Sequence, residues 1–237
     1  PPFIYDFNQA VKEQALLDQK PLSKLIRGAT FTPEVIGKGG CGVVYEGRGE
    51  DDLPLALKIY NLSYREGGQS SNWKTKADKV KRNLKKYEHI LKERPFVELY
   101  EIFPENGWPI CIMENFFGKD VGKMIDNEEV YNNKELHGRL LSTYTDMLIK
   151  LHDNNLIFLD NKWGNVLYNE DEVAICDYDM IANLDELNQG RHFARNIKTL
   201  CYCSREQHLR YDFSKSTDLE SFALMGDHLF VGASFLG

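Results

Sequence analysis

The sequence predicts an α+β protein in two parts, a β-rich part followed by a mainly helical one. Three observations lead there. Residues 31–60 are rich in strand formers, with Val35, Val43, Val44 and Tyr45 set around a cluster of glycines. Residues 136–154 instead place Leu140, Leu141, Tyr144, Met147, Leu148 and Leu151 on one face of a helix. The 237 residues are 42% hydrophobic and 27% charged, an ordinary globular balance that excludes a disordered chain and suffices for one large domain or two small ones.

Residues 8–27 have Ala10, Val11, Leu16, Leu17 and Leu25 at helical spacing, interrupted by Pro21. They form the core of an N-terminal helical extension expected over residues 1–30. Residues 31–114 make the β-rich part, with a second strand group at 53–60 after the turn Gly49-Glu50-Asp51-Asp52. The run Gly67-Gly68-Gln69-Ser70-Ser71-Asn72 is a loop, and a basic helix follows over 73–92. Two more strands are expected at 97–103 and 109–113, joined through Glu105-Asn106-Gly107. The connection to the helical part, 115–237, falls near 114–120. That part holds the long helix, short strands at 166–168 and 173–176 around Asn169-Glu170-Asp171-Glu172, and a last buried helix at 218–230.

A net charge of −7 argues against a nucleic-acid-binding surface. One stretch is locally basic, with Lys74, Lys76, Lys79, Lys81, Arg82, Lys85 and Lys86. It is a solvated helix face or a docking surface for an acidic partner. The five cysteines, Cys41, Cys111, Cys176, Cys201 and Cys203, are odd in number and scattered, as expected of reduced thiols in a cytosolic compartment. Cys201 and Cys203 lack a second ligand pair at zinc spacing. No apolar run is long enough to span a bilayer.

The string Gly37-Lys38-Gly39-Gly40-Cys41-Gly42-Val43-Val44 fits G-x-G-x-x-G-x-V. Three such glycines also mark dinucleotide folds and plain hairpins. Here a strand follows rather than a helix, so the glycines form a turn whose N–H groups can approach phosphate oxygens with no Cβ in the way. Lys58, in Leu55-Ala56-Leu57-Lys58, lies between apolar neighbours on the next strand. It snorkels to the surface or meets an anion. The most informative stretch is Phe158-Leu159-Asp160-Asn161-Lys162-Trp163-Gly164-Asn165-Val166-Leu167, followed by Ile175-Cys176-Asp177-Tyr178-Asp179. Two carboxylates and an asparagine beside short strands make a hard-oxygen site suited to magnesium, and Asp160 with Lys162 pairs an anion with a cation.

Taken in order, these motifs resemble the eukaryotic-type protein kinase family, over about residues 35–230. The Trp-Gly-Asn-Val-Leu string looks most like haspin-type divergent kinases. The resemblance implies a two-lobed kinase fold and a protein kinase that uses ATP and magnesium, with manganese as a substitute, on Ser/Thr hydroxyls of a protein substrate. The alternative is a pseudokinase that binds nucleotide without phosphotransfer. It further implies that Gly37, Gly39, Gly40 and Gly42 cover the ATP phosphates and that Lys58 holds the α- and β-phosphates. Asp160 is the implied catalytic base, Lys162 steadies the transferred phosphoryl group, and Asn165 and Asp177 bind the metal. Ile36, Val44, Ala56 and Leu167 would line the adenine site, Met113 would guard its back, and Glu114 and Phe116 would offer backbone groups to the adenine edge. Thr199 and Glu206 match the end of an activation segment. Asp218 would brace the catalytic loop.

Four departures qualify the resemblance. Phe158-Leu159 stands where the family has His-Arg, so control through an activation-loop phosphate is not expected. Asp179 replaces a glycine and either restricts its motif or adds a carboxylate near the metal. Glu88, chosen as the partner of Lys58, lies farther along the chain than in most kinases. The chain stops soon after Phe230, which implies a truncated C-lobe or a minimal kinase of the bacterial-effector or viral kind, in the latter case acting in a host cytosol.

Overall fold

The computed structural model describes residues 30–39, 42–49, 52–60, 81–82, 84–105, 108–190, 200–209 and 212–232. Several expectations lie outside these residues: the helix at 8–27, the loop at 67–72, the basic stretch through residue 80, Gly40 and Thr199.

The chain divides into two compact units, one of residues 1–81 and 99–115 and one of 82–98 and 116–237. In the first unit, β1 (Thr30–Gly39), β2 (Gly42–Arg48), β3 (Pro54–Tyr60), β4 (Leu99–Glu105) and β5 (Trp108–Glu114) form one antiparallel sheet in the order β1-β2-β3-β5-β4. The central strand β3 is buried along its length, from Leu55 through Ile59. That suits a run with no polar alternation, Leu-Ala-Leu-Lys-Ile, whose one charged member is Lys58.

The second unit begins with helical residues that break at Tyr87, a turn, before α1 (Glu88–Leu91). The continuous helix expected over 73–92 is therefore interrupted. Tyr87 is buried and its ring meets the Lys86 ammonium at 5.5 Å. Lys86 also pairs with Glu186 of the same unit at 2.6 Å, an ion pair at the surface. The strand expected from residue 97 starts at Leu99. Val97 bonds instead into the second unit, its N–H donating to the Ile175 carbonyl at 3.0 Å and its carbonyl accepting from the Tyr178 hydroxyl at 2.6 Å.

The rest of this unit runs β6 (Lys119–Asp120), α2 (Val121–Asp126), α3 (Lys134–Asp153), β7 (Leu156–Phe158), β8 (Val166–Tyr168), β9 (Val173–Ile175), β10 (Ile181–Asn183), α4 (Leu184–Asn188), α5 (Arg205–Leu209) and α6 (Lys215–Val231). Asp120 caps α2, Asn133 caps α3 and Asn183 caps α4, each accepting a backbone N–H with its side chain. Helices α3 and α6 pack together, with the Tyr144 and Phe222 rings stacked at 5.2 Å and Tyr144 edge-on to Trp163 at 5.9 Å. The fully buried Trp163 donates its indole N–H to the Met225 carbonyl at 2.7 Å, fastening the loop after β7 onto α6. No helix among the described residues is long and apolar enough to cross a membrane.

Candidate active site

In the sheet unit, strand register decides which side chains share a face. Lys58 pairs with Val44 on one side and Cys111 on the other, Ala56 pairs with Met113, and Gly37 pairs with Val44. Directly paired residues of antiparallel strands present their side chains on the same face. Val44, Ala56, Lys58 and Met113 therefore line one face, together with Cys111, which no motif in the sequence marks. Lys58 is only 2% exposed, so it is no snorkelling surface lysine. Glu114 sits in the ladder opposite Leu55, and Ile36 is exposed on β1.

In the helical unit, β7 delivers the chain into a loop tied down from several sides. The Asp160 carboxylate is buried and accepts from the Lys162 ammonium at 2.8 Å. The Asn165 amide nitrogen donates to the Asp160 carbonyl at 2.8 Å and to the same carboxylate oxygen at 3.3 Å. With its nitrogen so engaged, Asn165 turns its amide oxygen away from Asp160. The Asn165 carbonyl accepts from the Cys176 N–H at 2.9 Å, closing the hairpin that pairs Val166 with Ile175. Asp177 follows at that same end, with φ 57° and ψ 33°. Left-handed backbone is uncommon outside glycine, aspartate and asparagine adopt it most readily, and it concentrates at functional sites. Hard oxygens from Asn165 and Asp177 are the kind of donors magnesium takes.

The loop rests on Asp218, fully buried on α6. Its carboxylate accepts from the Phe158 N–H at 3.1 and 3.0 Å, from the Asn161 amide at 2.7 Å and from His152 at 2.9 Å. Burial pushes the Asp218 carboxyl above the ordinary carboxylate range, while the bonds from His152, Phe158 and Asn161 pull it back. Asn161 also accepts from the Tyr144 hydroxyl at 2.7 Å and donates to the Phe158 carbonyl. Gln207 of α5 donates to the Leu159 carbonyl at 2.7 Å, next to Asp160. Phe158 and Leu159 are buried, and the Tyr178 ring meets Phe96 edge-on at 5.5 Å.

The other predicted residues are placed as follows. Leu167 pairs with Ala174 and with Asp120. The Phe116 carbonyl accepts from the Gly118 N–H at 2.9 Å, and its ring lies under the Arg94 guanidinium at 5.8 Å. Glu88 is exposed and paired with Lys92 at 2.9 Å, which holds its carboxyl below the usual range. One carboxylate oxygen of Glu206 is buried with no hydrogen-bond partner among the described residues. His152, Asn161 and Gln207 join the site without a sequence expectation, and Tyr144 joins it from the expected apolar face of α3. The Ser204-Arg205-Glu206-Gln207 string was a legible capping box, and Ser204 and Gln207 do exchange bonds of 3.1 and 3.3 Å.

The protein kinase domain family model matches residues 32–236. The chain is 28% identical to cysteine-rich receptor-like protein kinase 27 of Arabidopsis thaliana, over 83% of this chain and 30% of that protein. It is 27% identical to cysteine-rich receptor-like protein kinase 44 of the same plant, over 94% of this chain and 60% of the relative. A third relative, probable serine/threonine-protein kinase zyg-1 of Caenorhabditis briggsae, is 26% identical over 64% of this chain and 20% of its own length. The chain thus spans less than two thirds of the length of each of these relatives. The two kinase lobes correspond to its sheet-rich and helical units, and the chain belongs to the eukaryotic-type protein kinase family.

Proposed function

We propose that the chain is an active protein kinase that moves the γ-phosphate of ATP to Ser or Thr hydroxyls of a protein substrate with magnesium. The observation that carries this is the buried Asp160 carboxylate, held by the Lys162 ammonium at 2.8 Å and the Asn165 amide at 3.3 Å. A carboxylate fixed in this way is oriented to accept the proton of an incoming hydroxyl as its oxygen bonds to the γ-phosphorus and ADP leaves. Lys162 supplies positive charge beside that transfer, and Lys58 supplies it to the α- and β-phosphates. Asn165 and Asp177 would hold the metal, which neutralises phosphate charge when bound. Glu88 is the proposed partner of Lys58, for which it would exchange its bond to Lys92. The Ser/Thr preference draws support from the printed name of the nematode relative and from the Lys162–Asp160 pair.

The test is transfer from γ- and α-labelled ATP to a mixed Ser/Thr and Tyr peptide pool, with wild type and Asp160→Asn. Label moves from the γ position only, onto Ser/Thr, and the variant loses about 10²- to 10⁴-fold in rate. Nucleotide binding without transfer by wild type overturns the proposal in favour of a pseudokinase, and transfer of α-label in favour of nucleotidyl transfer.

A further inference from the structure

Two side chains, Lys162 and Asn165, bond to the Asp160 carboxylate. The chain that carries Asp160 is fastened by a third, Asn161, which is 3% exposed. Its amide nitrogen donates to the Phe158 carbonyl, three residues back, and to the Asp218 carboxylate at 2.7 Å. Its amide oxygen accepts from the Tyr144 hydroxyl of α3 at 2.7 Å. Two acceptors on one side and a donor on the other settle the orientation of the amide. Burial pushes the Tyr144 phenol well above its ordinary range, with the Asp218 and Asp160 charges adding to the effect, so Tyr144 stays a neutral donor.

The bond to Phe158 closes a short ring of chain with Leu159 and Asp160 inside it. The ring is pinned at its start by the Phe158 N–H on Asp218 and at its end by Tyr144. Leu159 is held at both of its backbone groups, by the Met180 carbonyl at 3.3 Å and by Gln207 at 2.7 Å. Opening the ring at Asn161 would leave the Asp160 backbone with fewer ties just where its carboxylate needs a fixed direction. Stability alone does not call for a polar pair here. An apolar pair of the same shape can fill a buried place with nearly the same stability.

We infer that Asn161 is a positioning residue: its amide, oriented by Tyr144, fixes the backbone of Asp160 and so the aim of the carboxylate at the incoming hydroxyl. The effect on rate rests on the kinase reading above. The effect on the loop rests on geometry alone.

Wild type, Tyr144→Phe, Asn161→Leu and the double variant are compared by initial rates on a Ser/Thr peptide pool, by thermal melts and by backbone hydrogen exchange over residues 158–165. Asn161→Leu opens the ring and strands the Tyr144 hydroxyl. Its kcat falls about 10²-fold, the loss expected of a reacting group about 1 Å out of place, with the KM for ATP and for peptide unchanged. Tyr144→Phe keeps both bonds from the amide nitrogen, and its kcat falls by less than about tenfold. The double variant strands no hydroxyl and melts closer to wild type than Asn161→Leu, yet its kcat stays as low as that of Asn161→Leu. A kcat that recovers together with the melting temperature overturns the inference, because Asn161 then serves stability only. An unchanged kcat in Asn161→Leu overturns it too, as does a rise in KM at constant kcat. If Asn161→Leu does not fold, the double variant and Tyr144→Phe carry the same comparison. Wild type that transfers no phosphate defeats the kinase reading instead, and exchange then decides. It rises about tenfold across residues 158–165 in the double variant if Asn161 holds the loop, and matches wild type if it does not.

Discussion

The loop around Asp160 and the hairpin that carries Gly37 are built in opposite ways. Groups from α3, α5 and α6 bond to the loop from inside the core: the Tyr144, Gln207 and Asp218 side chains and the Met225 carbonyl, with His152 bonded to Asp218 behind them. The β1–β2 hairpin is described by its ladder, and its Val35 and Ile36 side chains are 44% and 43% exposed. A Cβ built on Gly37 would touch only the Val44 side chain, at 3.5 Å, an ordinary contact. The loop's residue identities are thus demanded by the folded core. The glycine at 37 is not demanded by its own packing, so its reason must be sought in what approaches it.

The sharpest way to break this contrast is to remove the support under the loop. Asp218→Ala leaves the Phe158 N–H, the Asn161 amide and His152 without their shared acceptor in a fully buried place. Buried donors stranded in this way cost about 3 kcal/mol or more together. Denaturant melts of wild type, Asp218→Ala and Asp218→Asn measure it. The asparagine variant keeps one acceptor oxygen and loses less. An alanine variant as stable as wild type would show that the loop holds itself, and the contrast with the hairpin would fail.

What the sequence made legible follows the same division. Strands β8 and β9 and helices α3 and α6 emerged within a few residues of their expected ends; α3 carries an apolar period that buries one face, and the two short strands are marked by the turn Asn169-Glu170-Asp171-Glu172 between them. That Asn165 and Asp177 flank one end of a short hairpin could be read from its two strands. Elements made by tertiary bonds could not. The break at Tyr87 answers to burial of one ring, α4 starts from the Asn183 cap and a bond from the Leu184 N–H to the Asn155 carbonyl, and β7 and β10 are three residues each. The roles of Asn161 and His152 are not legible in the sequence because each is declared only by its partner, Asp218, 57 or 66 residues away.

A smaller effect separates α6 from the loop it supports. Burial lowers the His228 pKa below its ordinary 6.5, and Asp126 only partly opposes this. A histidine whose folded pKa is depressed contributes stability that is present above the unfolded value. That contribution drains away as pH falls below about 6.5 and through the folded value. Tyr202 and Asp126 face the ring. Melting temperature recorded between pH 7.5 and 5 should therefore drop less in His228→Asn, which has nothing to titrate, than in wild type. Parallel curves for the two proteins would remove His228 from the account of acid sensitivity.

The smallest expected effect on the fold is at Gly37. Strand glycine is entropically expensive, and alanine at a compatible backbone position is more favourable by roughly 0.5 kcal/mol. Gly37 is in β1, paired with Val44, and has room for the methyl group. Gly37→Ala should therefore melt at or slightly above the wild-type temperature. If the face that holds Val44, Ala56 and Lys58 receives nucleotide phosphates, the same methyl group stands where they come closest, and the KM for ATP should rise several-fold while the peptide KM stays put. The two readouts point in opposite directions for one substitution, which separates a glycine kept for the fold from one kept for a ligand. A variant that melts lower and binds ATP as well as wild type would place the need for Gly37 in the hairpin itself.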